Sequence, residues 1–415
     1  MGRPLKIGIY SPFFGKTIGG GEKYLGVTAE AIRDAFPRHQ VDLIGAVPAD
    51  RELYERMLKL DLAGINLLST GKPMGRITHW ANNRRGLRRL RNIYLARQAA
   101  RFSQDYDLLL TMVYVIKARS VARRTVILCQ FPYELAPIMW GRKWLPNPVN
   151  GVTFRAYRTF LKRFTGNEIE TRADVICQSE YVRHWIKEFW YRDAVVVNPP
   201  IDIPDHDPDW SRKANRVISV GRFFLGGHSK RQDLMVAAFK ELCDAGLKDW
   251  ELHLAGSVHR EHPESASWYD EIVDSARGYP IVMHPDASYE QVRELYETGS
   301  IYWHAAGYEI DPADEPAALE HFGMTTAEAM ACGAVPVAIN AGGQPEVVTD
   351  GVDGFLWSTI DDLKARTLEL AADAEVRRRL GSRARESSRR FSRETFKRRM
   401  AEELAPAVRA LEGGS

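Results

Sequence analysis

The chain has 415 residues, 45% hydrophobic and 27% charged, a composition that supports a large core and excludes wholesale disorder; at roughly 100–200 residues per domain it predicts two domains. A formal charge of only +3 argues against a dedicated nucleic-acid binder. The four cysteines, Cys129, Cys177, Cys243 and Cys332, form no C-x-x-C pair, which excludes zinc ribbons and redox dithiols.

No apolar run is long enough to span a bilayer, and "MGRPLKIGIYSPFFG" lacks the layout of a signal peptide. A cytoplasmic protein with reduced thiols is expected. "KIGIY" (6–10), "VDLIGAV" (41–47), "DLLLTMV" (107–113), "TVILCQF" (125–131) and "ADVICQS" (173–179) read as buried strands. "GEKYLGVTAEAIRDAF" and "YVRHWIKEFW" (181–190) read as helices. Continuous apolar strands separated by helices predict a parallel sheet covered on both faces.

"NPPIDIPDHDPDW" (198–210) interrupts the pattern. Its prolines cannot continue a helix or a central strand, so it is expected to link two domains. Its spaced aspartates lie in this linker and not at a strand end, so no metal site is expected. The pattern then restarts with "RVISVGR" (216–222), "WELHLAG" (250–256), "PIVMHP" (280–285), "SIYWHAAG" (300–307) and "AVPVAIN" (334–340). The fold class expected is α/β, with two Rossmann-like, doubly wound domains facing across a cleft, at 1–200 and 201–390. Residues 391–415 should form a C-terminal helix that packs back on the first domain. The arginine-rich "EVRRRLGSRARESSRRF" reads as a solvated helix face. In such folds ligands bind at the carboxyl ends of the strands.

"EHFGMTTAEAMACGAVPV" (320–337) follows one of those strands. A helix opening around Gly323–Thr325 offers unpaired amides and a dipole to an anion, so the backbone of Phe322, Gly323, Met324 and Thr325 is a candidate phosphate cradle. Glu320 stands before the helix and Glu328 one turn into it. Carboxylates accept directional hydrogen bonds from sugar hydroxyls. A phosphate flanked by two polyol readers describes a nucleotide sugar. For a lone glutamate, complementing the helix dipole would be explanation enough.

The match is longer than one glutamate. "EHFGMTTAEAM" fits the E-x7-E signature, and with "GGQPEVVTDGVDGF" it resembles the C-terminal domain of the retaining GT-B glycosyltransferases of family 4 (glycosyl transferases group 1). The resemblance covers nearly the whole chain. It implies that Glu320 lies by the transferred sugar and that Glu328 holds the ribose. In "SVGRFFLGGHSKRQDL" (219–234) it implies a diphosphate clamp of Arg222 and Lys230. The spacing is long, and Lys230 and Arg231 compete for the second place; Lys230 is favoured. An arginine offers a planar fork and a lysine a point charge. "KTIGGGEKYLGV" (16–27) is similar to the family's N-terminal glycine loop, which makes Gly20 and Gly21 donor-side candidates. Where related enzymes often carry a histidine after "LC", this chain has Gln130, an acceptor-side candidate able to make a similar neutral hydrogen bond.

The resemblance thus implies transfer of a hexose, with a lean towards mannose, from a UDP- or GDP-linked donor to an acceptor hydroxyl, with retention and without a metal or a cofactor. The acceptor would belong to a lipid-linked or cell-surface glycan. "RITHWANNRRGLRRLRNIYLARQAARF" (76–102) carries many arginines and aromatics. It reads equally as a solvated face and as a patch for an anionic membrane surface, which would make the protein peripheral on the inner face. A nucleotide-sugar epimerase of the same fold and a non-catalytic nucleotide-sugar-binding subunit are the rival readings. An acceptor-independent change in the sugar would mark the first, and binding without turnover the second.

Overall fold

The computed structural model describes residues 3–16, 18–70, 101–113, 120–132, 173–190, 192–224, 229–258, 260 and 263–413. They form two compact units, Met1–Pro200 with Arg393–Ser415, and Ile201–Ser392. The basic stretch at 76–102 lies outside the described residues but for its last two.

The first unit holds β1 (Lys6–Tyr10), α1 (Gly20–Ala35), β2 (Gln40–Gly45), α2 (Arg51–Leu58), β3 (Ile65–Ser69), β4 (Leu108–Val113), β5 (Arg124–Cys129), β6 (Asp174–Cys177), α3 (Glu180–Trp190) and β7 (Val195–Val196). Its strands pair in the order β3-β2-β1-β4-β5-β6-β7, all parallel. The central strands are apolar on both faces because helices cover both. Ile7, Ile9, Leu108, Leu110 and Leu128 share one core with Leu25 and Ile32 of α1. The final helix of the chain, Arg393–Gly413, joins that core through Phe396, Met400, Leu404 and Val408. Phe396 sets its ring edge-on to Tyr24, with centroids 5.1 Å apart. Glu30, buried within α1, is neutralised by Lys397 of the final helix at 2.7 Å.

The second unit holds β8 (Ala214–Val220), α4 (Gln232–Asp244), β9 (Glu251–Gly256), α5 (Pro263–Ser275), β10 (Ile281–Pro285), α6 (Tyr289–Thr298), β11 (Gly299–His304), α7 (Met324–Ala331), β12 (Val335–Ile339), α8 (Gln344–Val347), β13 (Phe355–Trp357), α9 (Ile360–Ala372) and α10 (Ala374–Ser388). The strand order is β10-β9-β8-β11-β12-β13, again parallel. Val217, Leu252, Leu254, Ile301, Trp303 and Val337 pack under α4, α5 and α9. Ile218 and Tyr302 pack under α6 and α7 on the other face. The order reverses between β8 and β11, and that switch point is where doubly wound sheets open a binding crevice.

The boundary between the two units falls within the proline-rich stretch. From Ile201 onward it is built into the second unit. Ile201 is fully buried and donates its amide to the Phe391 carbonyl at 2.9 Å. The Arg385 guanidinium donates to the carbonyls of Ala331, Pro204 and His206, at 2.6, 2.6 and 3.1 Å. So the arginine-rich run is not wholly a solvated face. Arg385 is a buried strap, and Arg377 stacks on Trp250 at 5.3 Å.

Candidate active site

The carboxyl edge at the β8–β11 switch point gathers three charged or polar side chains, two of which meet on one carboxylate oxygen of the third. Lys230 Nζ forms an ion pair with Glu320 Oε2. His304 Nε2 lies 3.2 Å from the same oxygen. Lys230 and Glu320 are each 19% exposed and His304 only 2%. Burial pushes the Glu320 carboxyl up, but the Lys230 ammonium and the His304 hydrogen bond outweigh it and hold the group well below the usual carboxylate range. Burial pushes His304 below its ordinary value, Glu320 opposes that, and Lys230 reinforces it. The imidazole is therefore neutral, and because a carboxylate only accepts, the proton sits on Nε2 and donates to Glu320. His304 Nδ1 is buried and has no hydrogen-bond partner among the described residues.

The local sequence explains why these groups meet. His304 ends β11, and Glu320 closes the loop that follows it. The Gly343 amide donates to the Glu320 carbonyl at 2.7 Å. A Cβ on Gly342 would stand 2.3 Å from that carbonyl oxygen, and one on Gly343 2.5 Å from the oxygen of His321. "AGGQPE" can lie flat on the Glu320 segment only because it is bare at both positions. On the other side, the stem of Lys230 crosses Gly221, where a Cβ would meet Lys230 Cγ at 2.5 Å.

Beside the triad α7 begins. Gly323 sits in the left-handed region at φ 104° and no side chain caps the helix, so the first-turn amides face outward as a potential anion site. The segment is fixed from behind by Gln344, which is fully buried. Its amide donates to the Phe322 carbonyl at 3.3 Å and its oxygen accepts from the Thr326 hydroxyl at 2.8 Å. Tyr302 donates to Thr325 Oγ1 at 2.8 Å. Met324 is half-buried at the first helical position. Phe322 offers only its backbone to such a site, since its ring is buried against Phe391, with centroids 5.0 Å apart. Glu328, half-buried one turn in, lies 3.5 Å from the Tyr296 hydroxyl.

Arg222 follows β8 at the same edge and is exposed. Its side chain makes no ion pair among the described residues, while its carbonyl accepts from Gln232 at 3.2 Å. Arg231 starts α4 at φ 55° and is turned elsewhere. It donates to the Tyr308 carbonyl at 3.2 Å and pairs with Asp233 at 3.3 Å. Of the two competing cations, Lys230 is the one beside Glu320. In the first unit, Gly20 and Gly21 form the opening turn of α1 rather than a loop ahead of it, with Gly19 before the helix. Gln130 follows β5 and is buried, its carbonyl accepting from Gln178 at 3.0 Å.

Sequence reasoning missed His304, Gln344, Tyr302 and Tyr296. A histidine at the carboxyl end of a strand, at the switch point of a parallel sheet, is the signal that could have found the first.

Residues 204–387 match the family model described as glycosyl transferases group 1. The match lies within the second unit. An uncharacterized glycosyltransferase of Methanocaldococcus jannaschii is 26% identical over 60% of this chain and 61% of its own length. A GDP-Man:Man(3)GlcNAc(2)-PP-Dol alpha-1,2-mannosyltransferase of Dictyostelium discoideum is 26% identical over 54% of this chain and 44% of its own. The chain thus spans between under half and three fifths of these relatives. Anabaena HepE, solved with UDP and glucose, superposes with a TM-score of 0.64 at 17% identity, over 97% of this chain and all of that one. That likeness gives the fold, two Rossmann-like units of the GT-B type. The triad and the start of α7 lie within the matched segment.

Proposed function

We propose that this group 1 glycosyltransferase moves a hexose from a UDP- or GDP-linked donor to an acceptor hydroxyl with retention and without a metal, in the manner of family 4. The observation that carries the reading is the cluster of Lys230, Glu320 and His304 beside the uncapped start of α7. One anion site and one carboxylate stand side by side, which suits a diphosphate and the sugar it bears. Arg222, Lys230 and the amides of Gly323, Met324 and Thr325 would stabilise the departing diphosphate. The acceptor hydroxyl attacks the anomeric carbon on the face from which the diphosphate leaves. The C–O bond to phosphate breaks as the new one forms, and a leaving phosphate oxygen takes the acceptor's proton. Positioning and charge stabilisation are then the protein's contribution.

Mannose, with a lipid-linked or cell-surface glycan as acceptor, is the favoured pairing, supported by the mannosyltransferase activity for which the Dictyostelium relative is named. The HepE complex with UDP supports a nucleotide-bound donor. A cytoplasmic site of action, with residues 76–102 meeting anionic lipid, completes the proposal.

The test is calorimetry with UDP and GDP beside steady-state rates on folded variants. Glu328→Ala weakens the nucleoside diphosphate, because Glu328 reads the ribose. Glu320→Ala spares that binding and depresses turnover, because its charge matters most where positive charge develops. The reverse pattern would exchange the two roles. No effect from either would reduce both glutamates to helix-dipole partners.

A further inference from the structure

The triad contains one group that the reaction as proposed leaves idle. His304 is almost fully enclosed, touches Glu320 through Nε2, and keeps Nδ1 bare. Lys230 and Glu320 cancel each other's charge beside it. In that state the balance is against an imidazolium there. Burial and the ammonium both disfavour it, and only the carboxylate, already neutralised, opposes them.

A lysine drawn towards a diphosphate changes that balance. Its ammonium is a compact point charge on a flexible stem, and a diphosphate attracts it more strongly than a single carboxylate does. Glu320 is then left with a full negative charge in a half-buried pocket, the costly arrangement. The groups facing Glu320 are Lys230 and His304. With the first displaced, a proton on the second restores neutrality.

We propose that His304 is the positioning residue of Glu320, and that it takes up a proton at Nδ1 when Lys230 passes from Glu320 to the diphosphate of the donor. The carboxylate keeps one cationic partner throughout, first the lysine and then the imidazolium. It therefore stays ionised and in place beside the sugar. The inference rests on reading Lys230 as a diphosphate ligand.

The experiment is titration calorimetry of the full chain with UDP-glucose and with GDP-mannose, in two buffers of different ionisation enthalpy. Neither sugar nucleotide titrates near neutral pH, so a buffer-dependent heat counts protons taken up by the protein. The wild type is expected to take up as much as about one proton per donor bound, increasing as the pH is lowered towards about 6.5. His304→Gln, which keeps a neutral amide donor to Glu320, is expected to bind the donor with no uptake. It should also lose kcat by about tenfold, the difference between a charge-assisted and a neutral hydrogen bond to Glu320, with KM little changed. Lys230→Met gives a second check. It should bind more weakly and without further uptake, since the carboxylate has already lost its lysine. Donor binding with buffer-independent heats in the wild type overturns the inference, as does full uptake in folded His304→Gln. Failure of both donors to bind instead overturns the reading of the site on which it rests.

Discussion

Gly323→Ala perturbs the start of α7 through two separable effects. Gly323 stands at φ 104°, and placing a Cβ in the left-handed region costs about 1–2 kcal/mol. The new carbon would also lie 2.0 Å from Gln344 Nε2 and 3.0 Å from its Cδ. Gln344 is fully buried and tied to Phe322 and Thr326, so it can retreat only by giving up those bonds, at about 1–3 kcal/mol for polar groups left unsatisfied. The total is about 2–5 kcal/mol. Gly351 isolates the first effect, because it sits at φ 71° with no atom within 4 Å of an added Cβ. Gly351→Ala should therefore cost only about 1–2 kcal/mol. The assay is urea denaturation of both variants against the wild type, with UDP and GDP affinities on the folded proteins. Gly323→Ala should be the less stable by about 1–3 kcal/mol and should alone lose nucleotide affinity. Equal midpoints for the two variants would refute the role given to Gln344 in shaping this turn.

Two further outcomes concern the chemistry. Arg222→Ala, exposed and free of structural ion pairs among the described residues, should keep wild-type stability while losing about 2–4 kcal/mol of transition-state stabilisation, read as kcat/KM; wild-type rates would remove Arg222 from the clamp. Activity should survive EDTA, whereas complete loss restored by manganese or magnesium would replace the clamp with a metal.

Much of the fold was legible because buried parallel strands are apolar on both faces. β1, β4, β8 and β11 are continuous runs and stand within three residues of where the sequence suggests. β3 was not legible, since "INLLS" is an edge strand with most of its residues exposed or half-exposed. Nor was β13, whose three residues are too few to show a period. The burial of the proline-rich stretch was not legible, because proline excludes regular structure without excluding burial, and Arg385 supplies the bonds that hold its backbone. In the site, "EHFGMTTAEAM" carries its own signature. Lys230 and Glu320 meet across 90 residues of sequence, and no local pattern records that. Gln344 works through hydrogen bonds to residues 18 and 22 positions away, which only the packed structure brings together.

The same sheet carries a pH sensitivity in a second cluster of side chains. On β9 and β10, Glu251 Oε2 accepts from His253 Nε2 at 3.0 Å, which leaves His253 Nδ1 as the acceptor for His284 Nε2–H at 2.9 Å. Arg216 donates to the same glutamate at 3.1 Å. Protonating His253 would set two N–H groups against each other and place a second cation beside Arg216. Burial holds both histidines below their ordinary value of 6.5; Glu251 opposes this at His253, while Arg216 reinforces it at both. The sign follows from proton counting. Between the folded-state pKa and 6.5 the unfolded chain binds more protons than the folded one, so stability rises with pH and is lost as pH falls below 6.5. Each group contributes a slope of up to about 1.4 kcal/mol per pH unit in that window. The double variant His253→Gln, His284→Gln should therefore unfold at a urea midpoint that changes less between about pH 5 and pH 7 than the wild-type midpoint does. Parallel pH dependences would mean that the imidazole pair keeps its bond when protonated, and that the acid sensitivity of the fold lies in other groups.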